Sequence, residues 1–188
     1  LTTYSIDGGE VRAVSGGRVA LQDHDPRRIG NPSCILIERR DQLIEDAKRF
    51  CGHVGYRAFA NFDAKFDSRD GSFKFFEVNA RPGANTFYMT VGGLNFAELL
   101  VEDYLLGREP PYREAYREGV YTLVPPAVVR EFVTDPDLRA HVLECFREGR
   151  AVCPFSYKPD SPAHALWSWV RWEHQRRKYR RYLAVVSS

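Results

Sequence analysis

Glu77, Asn79 and Arg81 occupy alternate positions at the end of an apolar run, FFEVNARPGAN, residues 75–85. Side chains two apart on a strand share a face, so these three polar groups lie on one side and Phe76, Val78 and Ala80 on the other. The preceding run, AFANFDAKFD, alternates in the same way: Ala58, Ala60, Phe62, Ala64 and Phe66 face one side, and Asn61, Asp63, Lys65 and Asp67 the other. Arg69, Asp70 and Gly71 separate the two runs, which fits a three-residue hairpin loop with glycine in the left-handed position. Pairing Ser68 with Ser72 across that loop sets Asp63 opposite Glu77 and Asn61 opposite Asn79. Opposed carboxylates repel unless positive charge lies between them. A hard divalent cation with oxygen ligands supplies that charge, and Mg²⁺ held by one or two carboxylates and substrate phosphates is its common form. The plainer alternative is a half-solvated hairpin with a polar outer face.

An acid on one strand, a hairpin, and Glu77-Val78-Asn79-Ala80-Arg81 on the next strand together resemble the metal-binding end of the ATP-grasp ligases, whose motif is E-x-N-x-R. The following PGANTFYMTVGGLNFAELLVEDYLLG is similar to the loop and helix behind that motif, closest to the carboxylate-amine ligase branch that includes D-aspartate ligases. The similarity covers roughly residues 1–110. It implies that Asp63, Glu77 and Asn79 hold Mg²⁺, that Asn61, Glu77 and Asn79 face ATP, and that Arg81 meets the phosphorylated substrate. Arg18, in GGRVAL, stands where related enzymes carry a basic residue near the phosphates or substrate; an exposed strand arginine is the other reading. For Arg81 the alternative is an ion pair with Asp67. The implied chemistry moves the terminal phosphate of ATP to a carboxylate, after which an amine attacks the acyl phosphate. Metal ions neutralise the transferring group while the protein orients the reactants, and the planar guanidinium of Arg81 suits bidentate contact with oxyanions. The partners implied are small-molecule carboxylate and amine substrates. Phosphorylation of bicarbonate, as in enzymes of the carbamoyl-phosphate synthase type, is the alternative within the family.

The chain has 188 residues, 44% of them hydrophobic and 13% aromatic, enough for a real core, and a net charge of only +2 that points to no bulk polyanion partner. Cys34, Cys51, Cys145 and Cys153 lack C-x-x-C spacing, so the pattern indicates neither a zinc site nor a redox pair, and reduced thiols fit a cytoplasmic protein. No run of about 18 apolar residues is present, nor the layout of a signal peptide. LTTYSIDGGEVRAVSGGRVAL reads as three strands with breaks at Asp7-Gly8-Gly9 and Gly16-Gly17. The nucleotide-clamping region that precedes this point in ATP-grasp enzymes is missing, so the chain reads as the C-terminal part of a longer ligase. Alone, it is expected to hold metal and clamp ATP poorly.

The elements that must position the hairpin are also legible. RRDQLIEDAKRFCGHVG places Leu43, Ile44, Ala47, Phe50 and Cys51 at helical spacing and stops at Gly52 or Gly55. LNFAELLVEDYLLG offers Asn95 as N-cap, Glu98 as its capping-box partner and Gly107 after the last turn. His53 reads as structural, and His24 as a turn residue within a loop, Asp23 to Pro32, that could touch substrate. The expected fold is α+β: an antiparallel sheet backed by helices over residues 1–108, then a connector with an edge strand near Val120 to Val124 and a helical extension over residues 109–188. Asp135-Pro136 and Ser161-Pro162 mark two helix starts there. In the last helix Arg171, Arg176, Arg177, Lys178, Arg180 and Arg181 outnumber the single acid Glu173 and mix with Trp167, Trp169, Trp172, Tyr179 and Tyr182. A rival function follows from that composition, a binding module that contacts an anionic membrane surface or RNA.

Overall fold

A computed structural model describes residues 1–155 and 160–183. The fold is α+β with mixed sheets backed by helices, and its two compact units interleave along the chain: Leu1–Gly17 with Ile37–Arg117, and Arg18–Leu36 with the chain from Glu118 onward.

The first unit is built on β1 (Thr2–Ser5) and β2 (Val11–Ser15), followed by α1 (Asp41–Val54) and the long hairpin of β5 (Ala58–Asp67) and β6 (Ser72–Asn79). The intervening β3 (Gly17–Gln22) and β4 (Pro32–Ile37) belong to the second sheet. In the first sheet the order is β6-β5-β1-β2-β7, with β7 at Arg113–Ala115. All its pairs are antiparallel except β2 with β7, which is parallel. β1 is the middle strand and is buried along its whole length; of its hydroxyls, Thr2 donates to Asn61 on the neighbouring strand, Thr3 meets the Cys51 sulfur of α1 and Tyr4 donates to Asp103. α1 buries Ile44, Ala47 and Cys51, and Ala47 and Cys51 meet Ala60, Phe62 and Val11 on the apolar side of the hairpin. Phe50 stands edge-on to Phe62 with ring centroids 5.6 Å apart. Gly9, at φ +79°, is where the chain between β1 and β2 touches α1; an added Cβ would lie 2.0 Å from the Cys51 carbonyl oxygen. Only glycine suits both that conformation and that approach.

After β6 the chain makes α2 (Tyr88–Val91) and α3 (Phe96–Leu100), and α3 runs into a π-helical turn over Val101–Leu105. Asn95 caps α3 as expected, accepting from the Ala97 N–H. Glu98 does not complete a capping box: its carboxylate turns to Arg113, 3.8 Å away. The single helix expected up to Gly107 is instead broken by the π turn, where Asp103 is held by the Tyr4 hydroxyl at 2.5 Å and by Arg57 at 2.7 Å.

The second unit has sheet order β3-β4-β8-β9, with β8 at Val120–Thr122 and β9 at Ala151–Val152. β8 was expected at an edge but is interior, because the short parallel strand β9 pairs along its other side. α4 (Pro126–Phe132), α5 (Pro136–Arg147) and α6 (Pro162–Leu183) supply the helices. Val128, Val129, Val142 and Tyr179 from these helices pack with Cys34 and Val120 of the sheet. Asp135 caps α5, accepting from the Leu138 N–H, and Ser161 caps the start of α6, accepting from the His164 N–H. A buried ion pair joins the loop after β3 to α6: Lys178 Nζ lies 2.6 Å from Asp23 Oδ2, with both side chains under 10% exposed. The Tyr179 hydroxyl donates to the Gln22 carbonyl beside it.

Candidate metal and phosphate site

The β5–β6 ladder opposes Asp63 with Glu77 and Asn61 with Asn79, as the alternation predicts, but it arrives there by a different route. At the tip Asp67, not Ser68, pairs with Ser72, so the loop holds four residues, with Gly71 at φ +70°. Counting back from that pair alone, Asp63 would face Phe76. A β-bulge opposite the step between Asp63 and Ala64 leaves Phe76 of β6 as the extra residue, so that Ala64 faces Phe75 and Asp63 faces Glu77. Phe76 therefore leaves the apolar face on which alternation would put it and stands 68% exposed, while Phe75 packs on Phe62 with ring centroids 4.9 Å apart. Bulges bend the strand, increase its twist and recur beside functional sites.

Asp63 is half-buried at the foot of this pair, and burial, with the Glu77 charge adding to it, raises its pKa above the ordinary carboxylate range. Asn61 steadies it: the amide Nδ2 donates to Asp63 Oδ1 at 3.3 Å, while its Oδ1 accepts from Thr2 Oγ1 at 2.9 Å. The Tyr88 hydroxyl in turn donates to Thr2 Oγ1 at 2.7 Å, with the Ser15 carbonyl 3.2 Å away. A chain of hydrogen bonds thus runs from α2 through the central strand to the carboxylate. Thr2 and Tyr88 escaped the sequence reading. Their only trace there is a polar TTYS strand where an apolar one would serve, and the Thr2–Asn61 pairing that unites them spans half the unit.

Glu77 is exposed and Asn79 half-buried, and among the described residues neither side chain has a hydrogen-bond or ion-pair partner. Arg81 is exposed at the end of β6, where its Nη1 donates to the Pro82 carbonyl at 3.4 Å. It forms no pair with Asp67, which Arg69 holds at 2.7 Å. The loop after Arg81 comes back to the site, since a Cβ at Gly83 would sit 3.7 Å from Asn61 Oδ1. Arg18 lies on β3 in the second unit and pairs with Asp135 at 2.7 Å. The oxygen donors around Asp63, two carboxylates and two amides, are the set that hard cations prefer, and a cation would offset both the burial and the Glu77 repulsion that raise Asp63.

Much of the positive charge of α6 is engaged within its own unit. Besides Lys178, Arg180 pairs with Glu131 at 3.0 Å, and Arg171 lies over the Phe155 ring 3.6 Å from its centroid. No helix among the described residues is long and apolar enough to cross a membrane.

The fold and the hairpin define an α+β chain that presents paired acids and amides at one end of a sheet. No family model matches the chain. Over 165 residues it is 29% identical to the D-aspartate ligase of Enterococcus faecium (strain Aus0004), an alignment covering 85% of this chain and 39% of that protein. The chain thus spans about two fifths of the length of this relative.

Proposed function

We propose that the chain is the part of an ATP-dependent carboxylate-amine ligase that holds the metal ions and phosphates, acting on a substrate such as D-aspartate through an acyl phosphate. The observation that carries this reading is the register placing Asp63 directly across from Glu77, with Asn79 beside them and Arg81 at the strand end. Support also comes from the similarity of most of the chain to a D-aspartate ligase.

In this reading Asp63, Glu77 and Asn79 hold Mg²⁺, which screens the charge of the phosphates during transfer. Asn61 keeps Asp63 in place through its amide and is itself fixed by Thr2 and Tyr88, so the half-buried carboxylate is preorganised before ligands arrive. Arg81, free of any carboxylate partner among the described residues, offers its planar fork to the oxygens of the substrate carboxylate or its phosphorylated form. Arg18, which lies in the second unit and pairs with Asp135, is assigned no role at the hairpin. The remaining nucleotide-clamping groups are assigned to sequence outside this chain.

Glu77→Gln in the full-length protein tests the reading directly. Mg²⁺-dependent ADP release in the presence of a carboxylate and an amine is expected to be lost, and turnover at the normal rate would remove Glu77 from the metal site.

A further inference from the structure

The second unit carries a separate cluster of soft and borderline ligand atoms that the ligase reading does not use. His141 and Cys145 stand one turn apart on α5, and Glu118, just ahead of β8, faces them. One ligand atom from each, His141 nitrogen, Cys145 Sγ and a Glu118 oxygen, all lie within 4.8 Å of one another. Glu118 and His141 are exposed, whereas Cys145 is buried. We propose that Glu118, His141 and Cys145 form a binding site for a zinc-like divalent transition metal, with a water or an external ligand in the fourth position.

The chemistry of the three donors matches that class of ion. One thiolate, one imidazole and one carboxylate are the ordinary zinc ligands, with bonds near 2.0–2.3 Å, and a tetrahedral arrangement of such bonds separates the donors by roughly 3.3–3.8 Å. The present spread is about an ångström wider, and the two exposed side chains can close it by rotamer adjustment. His141 Nε2 already points at Glu118 Oε1, 2.7 Å away, so the cation would replace the proton the two share. The Cys145 sulfur is directed toward polar groups on that side: Arg150 Nη1 lies 3.4 Å from it. Burial keeps the Cys145 thiol above its usual range, and a coordinated thiol loses its proton to solvent as the metal binds.

Arg150 is the competitor, since its Nη1 also holds Glu118 Oε2 at 2.9 Å. It need not be stranded when the metal enters, because the same guanidinium is gripped by Glu148, with Nε 2.8 Å from Oε2. Withdrawal of Arg150 onto Glu148 frees the Glu118 carboxylate and removes the nearest positive charge.

Cobalt titration of the tag-free protein provides the test, since Co²⁺ occupies such sites and reports a thiolate ligand through a charge-transfer band in the near ultraviolet. The expected result is a saturable band at one equivalent that Zn²⁺ bleaches and Mg²⁺ does not. Cys145→Ser is expected to remove the band, and His141→Ala and Glu118→Gln to weaken binding at least ~10-fold. His141 and Glu118 are exposed, so their variants report on the site even if the buried Cys145→Ser change impairs folding. Glu77→Gln should leave the cobalt signal unchanged, which separates this site from the hairpin. Absence of a band in the wild-type protein, a band that survives Cys145→Ser, or an affinity indifferent to His141→Ala would each overturn the assignment.

Discussion

Replacing Glu77 by Gln should stabilise the metal-free protein and abolish its response to magnesium, two effects of opposite sign from one substitution. Directly opposed side chains on an antiparallel ladder lie about 5 Å apart. Two unit charges at that distance repel by about 0.8 kcal/mol in a water-like medium and about 3 kcal/mol at an effective dielectric constant near 20. Glu77 is exposed and Asp63 only half-buried, so the screened end of that range applies, about 1 kcal/mol. For a chain of this size that is a rise in melting temperature of about 2–4 °C without metal. In the wild-type protein Mg²⁺ at ten times its dissociation constant adds about 1.4 kcal/mol, or roughly 3–5 °C, and in the variant it adds nothing. The pH dependence has a definite sign. Asp63 has its pKa raised in the folded state, so between its ordinary value and the raised one the native protein binds more protons than the unfolded chain. Metal-free stability therefore falls as pH rises through that window, and Glu77→Gln should shallow the fall. Thermal unfolding followed by fluorescence, with and without MgCl₂ at matched ionic strength, reads all of this. A variant that melts lower without metal yet keeps the full magnesium shift would refute the idea that the two acids share a cation.

Three further outcomes follow from the packing. Lys178→Ala leaves Asp23 buried without its closest charge partner, with Arg28 Nε at 3.7 Å as partial compensation, and is expected to cost about 3 kcal/mol in denaturant unfolding; a loss below ~0.5 kcal/mol would mean the pair is not buried in solution. Ala58 opens β5 at φ +81°, a conformation that disfavours any side chain, so Ala58→Gly should raise stability by about 0.5–1 kcal/mol rather than lower it, checked in the same assay. Tyr88→Phe removes the donor to Thr2 at the buried end of the hydrogen-bond chain; a loss of about 1–2 kcal/mol and a weaker magnesium response are expected, and an unchanged melting curve would show that Asn61 needs no such support.

The hairpin and its acids were legible because period-two alternation is a local property and Gly71 marks the turn. The bulge was not, since nothing in FKFFEV distinguishes an extra residue from a regular one, and the expected facing pair emerged from a shifted tip and a compensating bulge. α1 was readable from Ile44, Ala47 and Cys51, whose spacing needs no knowledge of the partner surface. The fate of Glu98 was hidden for the opposite reason: its capping role competes with Arg113, a residue on β7 that sequence proximity does not bring near. The same holds for β8, whose interior position depends on Ala151 and Val152 arriving after two intervening helices. Asp23 and Lys178 form the clearest case. Each alone looks like a surface charge, and only the fold makes them a buried couple.

Deleting Phe76 would leave a regular ladder in which Asp63 still meets Glu77, because the tip register alone then brings them together. The extra residue is thus dispensable for the encounter and must matter for its direction. By winding the strand more tightly just before Glu77, it sets the angle at which Asn79 and Arg81 leave the sheet. A shortened hairpin would keep its acids and misaim its arginine.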